Sequence, residues 1–256
     1  MSWEKSTDPP SVFELQNTSV SYGNFPALRD INLCIRAGEQ VALVGPSGAG
    51  KSTLIKLLNG TLSPTSGQVT VLGQDLAKLS IGATRQLQAQ IGTIYQQFQL
   101  VDALQVVHNV NAGHLARWSF PKALLSLFWP QDVDTAAEAL WQVGIPGKLY
   151  ERTDKLSGGE QQRVAIARVL VQDPQAILAD EPIASLDPER AREILELMLR
   201  LSHQYKKTLV TSLHAIELAR SRFERIIGLR QGEVLFDCQT SELNQGMISS
   251  LYRITN

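Results

Sequence analysis

The sequence predicts an α/β fold: a mostly parallel sheet with its functional loops at the carboxyl ends of the strands, paired half-buried strands ahead of it, and an inserted helical subdomain. Three observations predict this. The segments Gln40–Val44, Ala176–Ala179 and Thr208–Leu213 are apolar throughout or nearly so, the pattern of strands covered on both faces. Helical spacing follows two of them, as in alternating strand–helix units. Residues from about 96 to 170 break that alternation with helical patterns and no buried-strand signal.

Taken in order, residues 1–10 carry Glu4, Lys5 and Asp8 without an apolar run, and are expected to be a mobile tail. Stretches 12–22 and 27–35 alternate apolar and polar residues about Gly23, Asn24 and Pro26, which predicts two paired strands. Gln40–Val44 runs into a glycine-rich loop, and Leu54, Ile55, Leu57 and Leu58 then follow a helical spacing that stops at Gly60. A second helix opens at Leu156-Ser157-Gly158-Gly159-Glu160 and continues through Val164, Ala167, Leu170 and Val171 to Asp173-Pro174. A third has Asp187 as its cap, Pro188 in its first turn, Glu189 favourable to the dipole, and Ile194, Leu195, Met198 and Leu201 along one face. The expected organisation is a single domain over 11–240 and a short helical tail over 241–256.

Composition excludes several classes. The 256 residues include 24 basic and 25 acidic side chains, for a net charge of −1. That balance offers no field for nucleic acid, and no local basic patch replaces it, so no nucleic-acid partner is expected. No run approaches the roughly 18 apolar residues of a membrane helix, which points to a cytosolic chain that does not span the membrane itself. Cys34 and Cys238 lie far apart in apolar sequence without metal-type spacing and read as core residues in a reducing compartment.

The motifs carry phosphate chemistry. Gly45-Pro46-Ser47-Gly48-Ala49-Gly50-Lys51-Ser52 fits GxxxxGK followed by Ser or Thr, placed between a strand and a helix. Glycines let the backbone N–H groups curl around phosphates at a helix N-terminus, Lys51 adds a point charge, and the Ser52 hydroxyl suits Mg²⁺. By itself, Ser157-Gly158-Gly159 reads equally well as an anion site or as a cap and turn. Ala176–Ala179 ends in two carboxylates: Asp180 can hold Mg²⁺ directly or through water, and Glu181 is placed to orient or deprotonate an attacking water. His214 closes the last buried strand.

The order of these motifs, with Gln96 following the strand that ends Ile94-Tyr95, resembles the ATP-binding cassette family over about residues 12–237. The resemblance implies a P-loop NTPase core with an N-terminal antiparallel β subdomain, ATP and Mg²⁺ as cofactors, and ATP hydrolysis coupled to transport. It implies a head-to-tail dimer that sandwiches nucleotide between two copies. Tyr22 would stack on adenine, Gly45, Pro46, Ser47, Gly48, Ala49, Gly50, Lys51, Ser52 and Thr53 would cradle the phosphates, and Gln96 would contact Mg²⁺ or water. Asp180 would serve Mg²⁺, Glu181 act as general base, and His214 touch the γ-phosphate. Ser157, Gly158 and Gly159 would act in trans on the partner's nucleotide, and Asp187 would connect the two sites. One departure is Ala215 after His214, where the family often has a polar residue.

One cassette without a membrane span implies a separate motor subunit on the inner face of the membrane, docked on transmembrane permease subunits that a solute-binding protein supplies. Residues 112–117 and 122–128, the run 179–188 (Ala179-Asp180-Glu181-Pro182 through Pro188), Ser212-Leu213-His214 and 225–230 are similar to ATPases of phosphonate and phosphite importers. Uptake of phosphonate, phosphite or a related phosphorus oxyanion is therefore the expected function. The neighbouring alternatives are a polar amino-acid importer or lipoprotein-release ATPase, and a soluble cassette acting on ribosomes or DNA. The apolar run 123–129 is expected to pack within the helical subdomain, with direct contact to a permease as the alternative.

Overall fold

The computed structural model describes residues 9–126 and 128–253. The expected tail 1–10 therefore lies outside the described residues except for its last two, as does the end of the expected tail 241–256. Strands β1 (Ser11–Tyr22) and β2 (Phe25–Arg36) pair antiparallel across a two-residue turn at Gly23-Asn24. β3 (Gln40–Val44) leads through the glycine loop into α1 (Lys51–Leu58). β4 (Ser66–Val71) returns beside β1, β5 (Gln74–Asp75) beside β4, and α2 (Ile81–Gln88) then delivers β6 (Ile91–Ile94). Four helices follow: α3 (Val106–Asn111), α4 (Phe120–Leu125), α5 (Val133–Gln142) and α6 (Gly158–Gln172). The chain closes with β7 (Ala176–Ala179), α7 (Pro188–Gln204), β8 (Thr208–Leu213), α8 (Ile216–Arg222), β9 (Arg225–Arg230), β10 (Glu233–Gln239) and α9 (Gln245–Tyr252).

Two sheets result. The first is antiparallel, in the order β2-β1-β4-β5, and the second runs β10-β9-β3-β8-β7-β6, parallel except for β10 at its edge. β3 shows why its sequence is continuously apolar. Its side chains alternate between two interiors, Val41 and Leu43 packing with the first sheet and α1, Ala42 and Val44 with the helices of the other layer. The expected α/β fold with an N-terminal antiparallel region and inserted helices is the one observed.

Helix α6 is defined at both ends. Ser157 caps it reciprocally, its backbone N–H donating to Glu160 Oε2 at 2.8 Å while its hydroxyl accepts from the Glu160 N–H. Asp173, at φ 50°, and Pro174 stop it. Asp187 caps α7 one way, its carboxylate accepting from the Arg190 N–H at 3.1 Å. Each such cap contributes about 1 kcal/mol.

Two expectations need correction. Cys34 is exposed, not core: β2 buries Ile31, Leu33 and Ile35, and strand parity turns Cys34 outward. Cys238 is half-buried. The expected packing of the run 123–129 is not seen among its described residues: the short α4 buries none of its residues and Leu124, Phe128 and Trp129 are 51%, 71% and 65% exposed, while Ser126 alone is buried.

Candidate active site

The loop between β3 and α1 places its backbone donors at the carboxyl edge of the parallel sheet. Its tight path requires glycine. At Gly50, with φ 104°, a Cβ would stand 2.8 Å from the Ala27 carbonyl oxygen, and at Gly45 it would collide with the Leu229 carbonyl. The N–H groups of Gly48, Gly50, Lys51, Ser52 and Thr53 have no acceptor among the described residues. Five such donors at a helix N-terminus fit an anion of several oxygens.

Lys51 is buried, and its ammonium donates to the carbonyls of Gly45 at 2.8 Å and Pro46 at 3.1 Å. Burial lowers its pKa below the usual lysine value, opposed by the carboxylates of Glu181 and Asp180. The loop, Glu181, Tyr22, Phe25 and Ala27 line an open cleft of about 250 Å³. Tyr22 and Phe25 face each other in the hairpin register, 49% and 65% exposed. Two exposed rings at the rim of a phosphate cleft suit a flat base.

Next to the loop, β7 and β8 bring a polar chain together. Ser52 Oγ donates to Asp180 Oδ1 at 3.0 Å, and Ser212 Oγ donates to the same oxygen at 2.9 Å. Ser212 also accepts the Glu181 N–H at 2.8 Å, and Glu181 Oε1 lies 2.6 Å from His214 Nε2. Glu181 has φ 48°, an uncommon backbone state for a residue with a side chain, and the Ser212 bond holds it there. Sequence reasoning gave Ser212 no role. Its signal is weak, because Thr208 and Thr211 place two further hydroxyls in the same strand.

The remaining expected site residues lie elsewhere. Gln96 is exposed beyond β6, with no hydrogen-bond partner among the described residues. Ser157, Gly158, Gly159 and Asp187 do not line the cleft. They form a separate cluster in which the α6 N-terminus adjoins the α7 N-terminus, with Gly159 against Arg190 and Gly158 near Leu186.

The ABC transporter family model matches residues 28–184, the span from β2 through the phosphate loop and the capped α6 to the Asp180-Glu181 pair. The chain belongs to the ABC transporter family. This cassette is 47% identical over 244 residues to the phosphonates import ATP-binding protein PhnC 1 of a Nostoc species, covering 94% of this chain and 92% of that protein. It is 45% identical over 226 residues to the PhnC of Pseudomonas fluorescens, covering 88% and 85%. Among solved cassettes it resembles the dimeric MJ0796 bound to ADP and Pi, with a TM-score of 0.74, 32% identity and coverage of 89% and 98%. It also resembles cbiO1 of Clostridium perfringens, described as part of the complex cbiONQ, with a TM-score of 0.78, 28% identity and coverage of 91% and 90%. In this cassette Ser157, Gly158 and Asp187 are exposed and Gly159 is buried, in a cluster apart from the phosphate loop.

Proposed function

We propose that this chain is the ATP-hydrolysing motor subunit of an importer for phosphonate or a related phosphorus oxyanion. The observation that carries hydrolysis is the chain Ser52–Asp180–Ser212–Glu181–His214 beside the phosphate loop. The unpartnered N–H groups and Lys51 bind the phosphates, and Tyr22 stacks on the base. Ser52 and Asp180 would hold Mg²⁺, with Gln96 a further candidate ligand in the loop after β6; one carboxylate and a hydroxyl suit an ion that takes its other oxygens from phosphate and water. When bound, the ion neutralises charge on the phosphate oxygens.

Glu181 accepts a proton from water as the water oxygen bonds to the γ-phosphorus and the bond to the β-phosphate oxygen breaks. His214, bonded to Glu181, orients that carboxylate and faces the transferred group. A second copy supplies Ser157, Gly158, Gly159 and Asp187 from its own cluster. The subunit works on the cytoplasmic side, held by transmembrane permease subunits served by a solute-binding protein. Two features support such a partner: no helix among the described residues is long and apolar enough to cross a membrane, and Phe120, Leu124, Phe128 and Trp129 form an exposed apolar surface.

The substrate assignment rests on relatives 40% to 47% identical over most of the chain. It is tested by ATP turnover of the permease complex with its binding protein, stimulated in turn by phosphonate, phosphite, phosphate and amino acids. Stimulation by phosphonate or phosphite is expected. Stimulation by amino acids alone would replace the substrate, and a complex that hydrolyses no ATP would refute the motor assignment.

A further inference from the structure

The turn that carries His214 is short and poorly anchored from its own side. β8 ends at Leu213 and α8 begins at Ile216, so His214 and Ala215 alone form the connection. Ala215 occupies the N-cap of α8 in the extended conformation that a cap needs, yet its methyl group makes no capping hydrogen bond. Both residues are exposed. Nothing in the turn's own side chains fixes the His214 backbone.

An anchor arrives from the far end of the chain. Tyr252, the last residue of α9, donates its hydroxyl to the His214 carbonyl at 2.9 Å. α9 is itself held firmly: Asn244 caps it at 3.0 Å from the Met247 N–H, Leu251 is fully buried, and Met247 and Ile248 pack on the core. At its C-terminus the Arg230 guanidinium of β9 binds the carbonyls of Ser250 and Arg253. Burial and the nearby Glu217 raise the Tyr252 hydroxyl above its ordinary pKa, which keeps it a donor.

We propose that Tyr252 is a positioning residue of the hydrolytic site, anchoring the His214 backbone from outside the turn and holding His214 against Glu181. This rests on the assignment of Glu181 and His214 to ATP hydrolysis. The hydroxyl acts on the backbone one residue from the end of β8, so its loss loosens the 2.6 Å contact between His214 and Glu181 without touching the phosphate loop. α9 then belongs to the catalytic apparatus instead of merely closing the chain.

The test is ATP turnover of the assembled transporter for the parent, Tyr252→Phe, His214→Ala and their combination. Tyr252→Phe is expected to lower kcat about fivefold, the size of one neutral hydrogen bond, with KM for ATP within about twofold. In the His214→Ala background the same substitution should have no further effect. Parental kcat in Tyr252→Phe beside an impaired His214→Ala overturns this proposal alone. A loss that persists undiminished without His214 overturns it as well, marking a general effect of α9. Full turnover in His214→Ala overturns the histidine's role, and the proposal with it.

Discussion

Replacing Ser212 by alanine removes one oxygen that serves two neighbours. Its hydroxyl donates to Asp180 Oδ1 at 2.9 Å and accepts the Glu181 N–H at 2.8 Å, and the side chain is wholly buried, so no water takes its place. The bond to a carboxylate is worth about 1.5–3 kcal/mol and the backbone bond about 0.5–1.5 kcal/mol. Asp180 keeps its bond from Ser52 at 3.0 Å, which limits the first loss. A total near 2–4 kcal/mol is expected, read as a drop in the urea midpoint of about 1 M given a slope near 3 kcal/mol per molar. Turnover should fall further than stability alone explains, because the Glu181 backbone at φ 48° loses the bond that holds it. A tenfold loss of kcat corresponds to only about 1.4 kcal/mol of misplacement. An unfolding free energy within about 0.5 kcal/mol of the parent, together with parental kcat, would refute the reasoning, since surface substitutions of no consequence lie in that range.

Other outcomes follow from the same geometry. Glu181→Gln keeps an oxygen for His214 and the backbone bond to Ser212, so it should bind ATP normally while losing hydrolysis by roughly 10²- to 10⁴-fold; single-turnover assays with tight nucleotide binding check this, and near-parental turnover would sink the role of base. Lys51→Ala should weaken a fluorescent ATP analogue by about 10- to 100-fold, the size of a charge-assisted contact, and unchanged equilibrium binding would contradict it. Tyr22→Ala should cost about 1–3 kcal/mol of nucleotide affinity by loss of stacking, with the melting temperature preserved because the ring is exposed. Phe25→Ala, at the same rim, should weaken binding in the same assay, and a parental dissociation constant would show that only one ring meets the base.

The parts of the fold that sequence made legible share one physical trait, a strong local signal. β3, β7 and β8 are buried on both faces, so their apolar runs mark their limits. The α6 and α7 boundaries are equally plain because Ser157, Glu160 and Asp187 are capping residues used as caps. β4 was invisible because only Val69 and Val71 of its six residues are buried, and its place is fixed by register with β1. Cys34 was misread because apolar neighbours say nothing about strand parity. At the cleft, spacing pointed to the phosphate loop, Asp180, Glu181 and His214, which lie together, but gave no sign of contacts made through space. Ser212 meets Asp180 across two strands, Phe25 meets Tyr22 across a turn, and Tyr252 meets His214 across 38 residues.

β3 spans only five residues, yet it faces two interiors at once. Neither layer can come apart without stripping cover from a strand the other also needs, so this strand is a seam joining them into one cooperative body. A ligand gripped by the loop at its carboxyl end is linked to both layers through that seam. At a hundredfold excess over Kd, such a ligand adds about 2.7 kcal/mol to the whole molecule. Nucleotide should therefore raise a single melting transition, not separate ones for the antiparallel sheet and the helical layer.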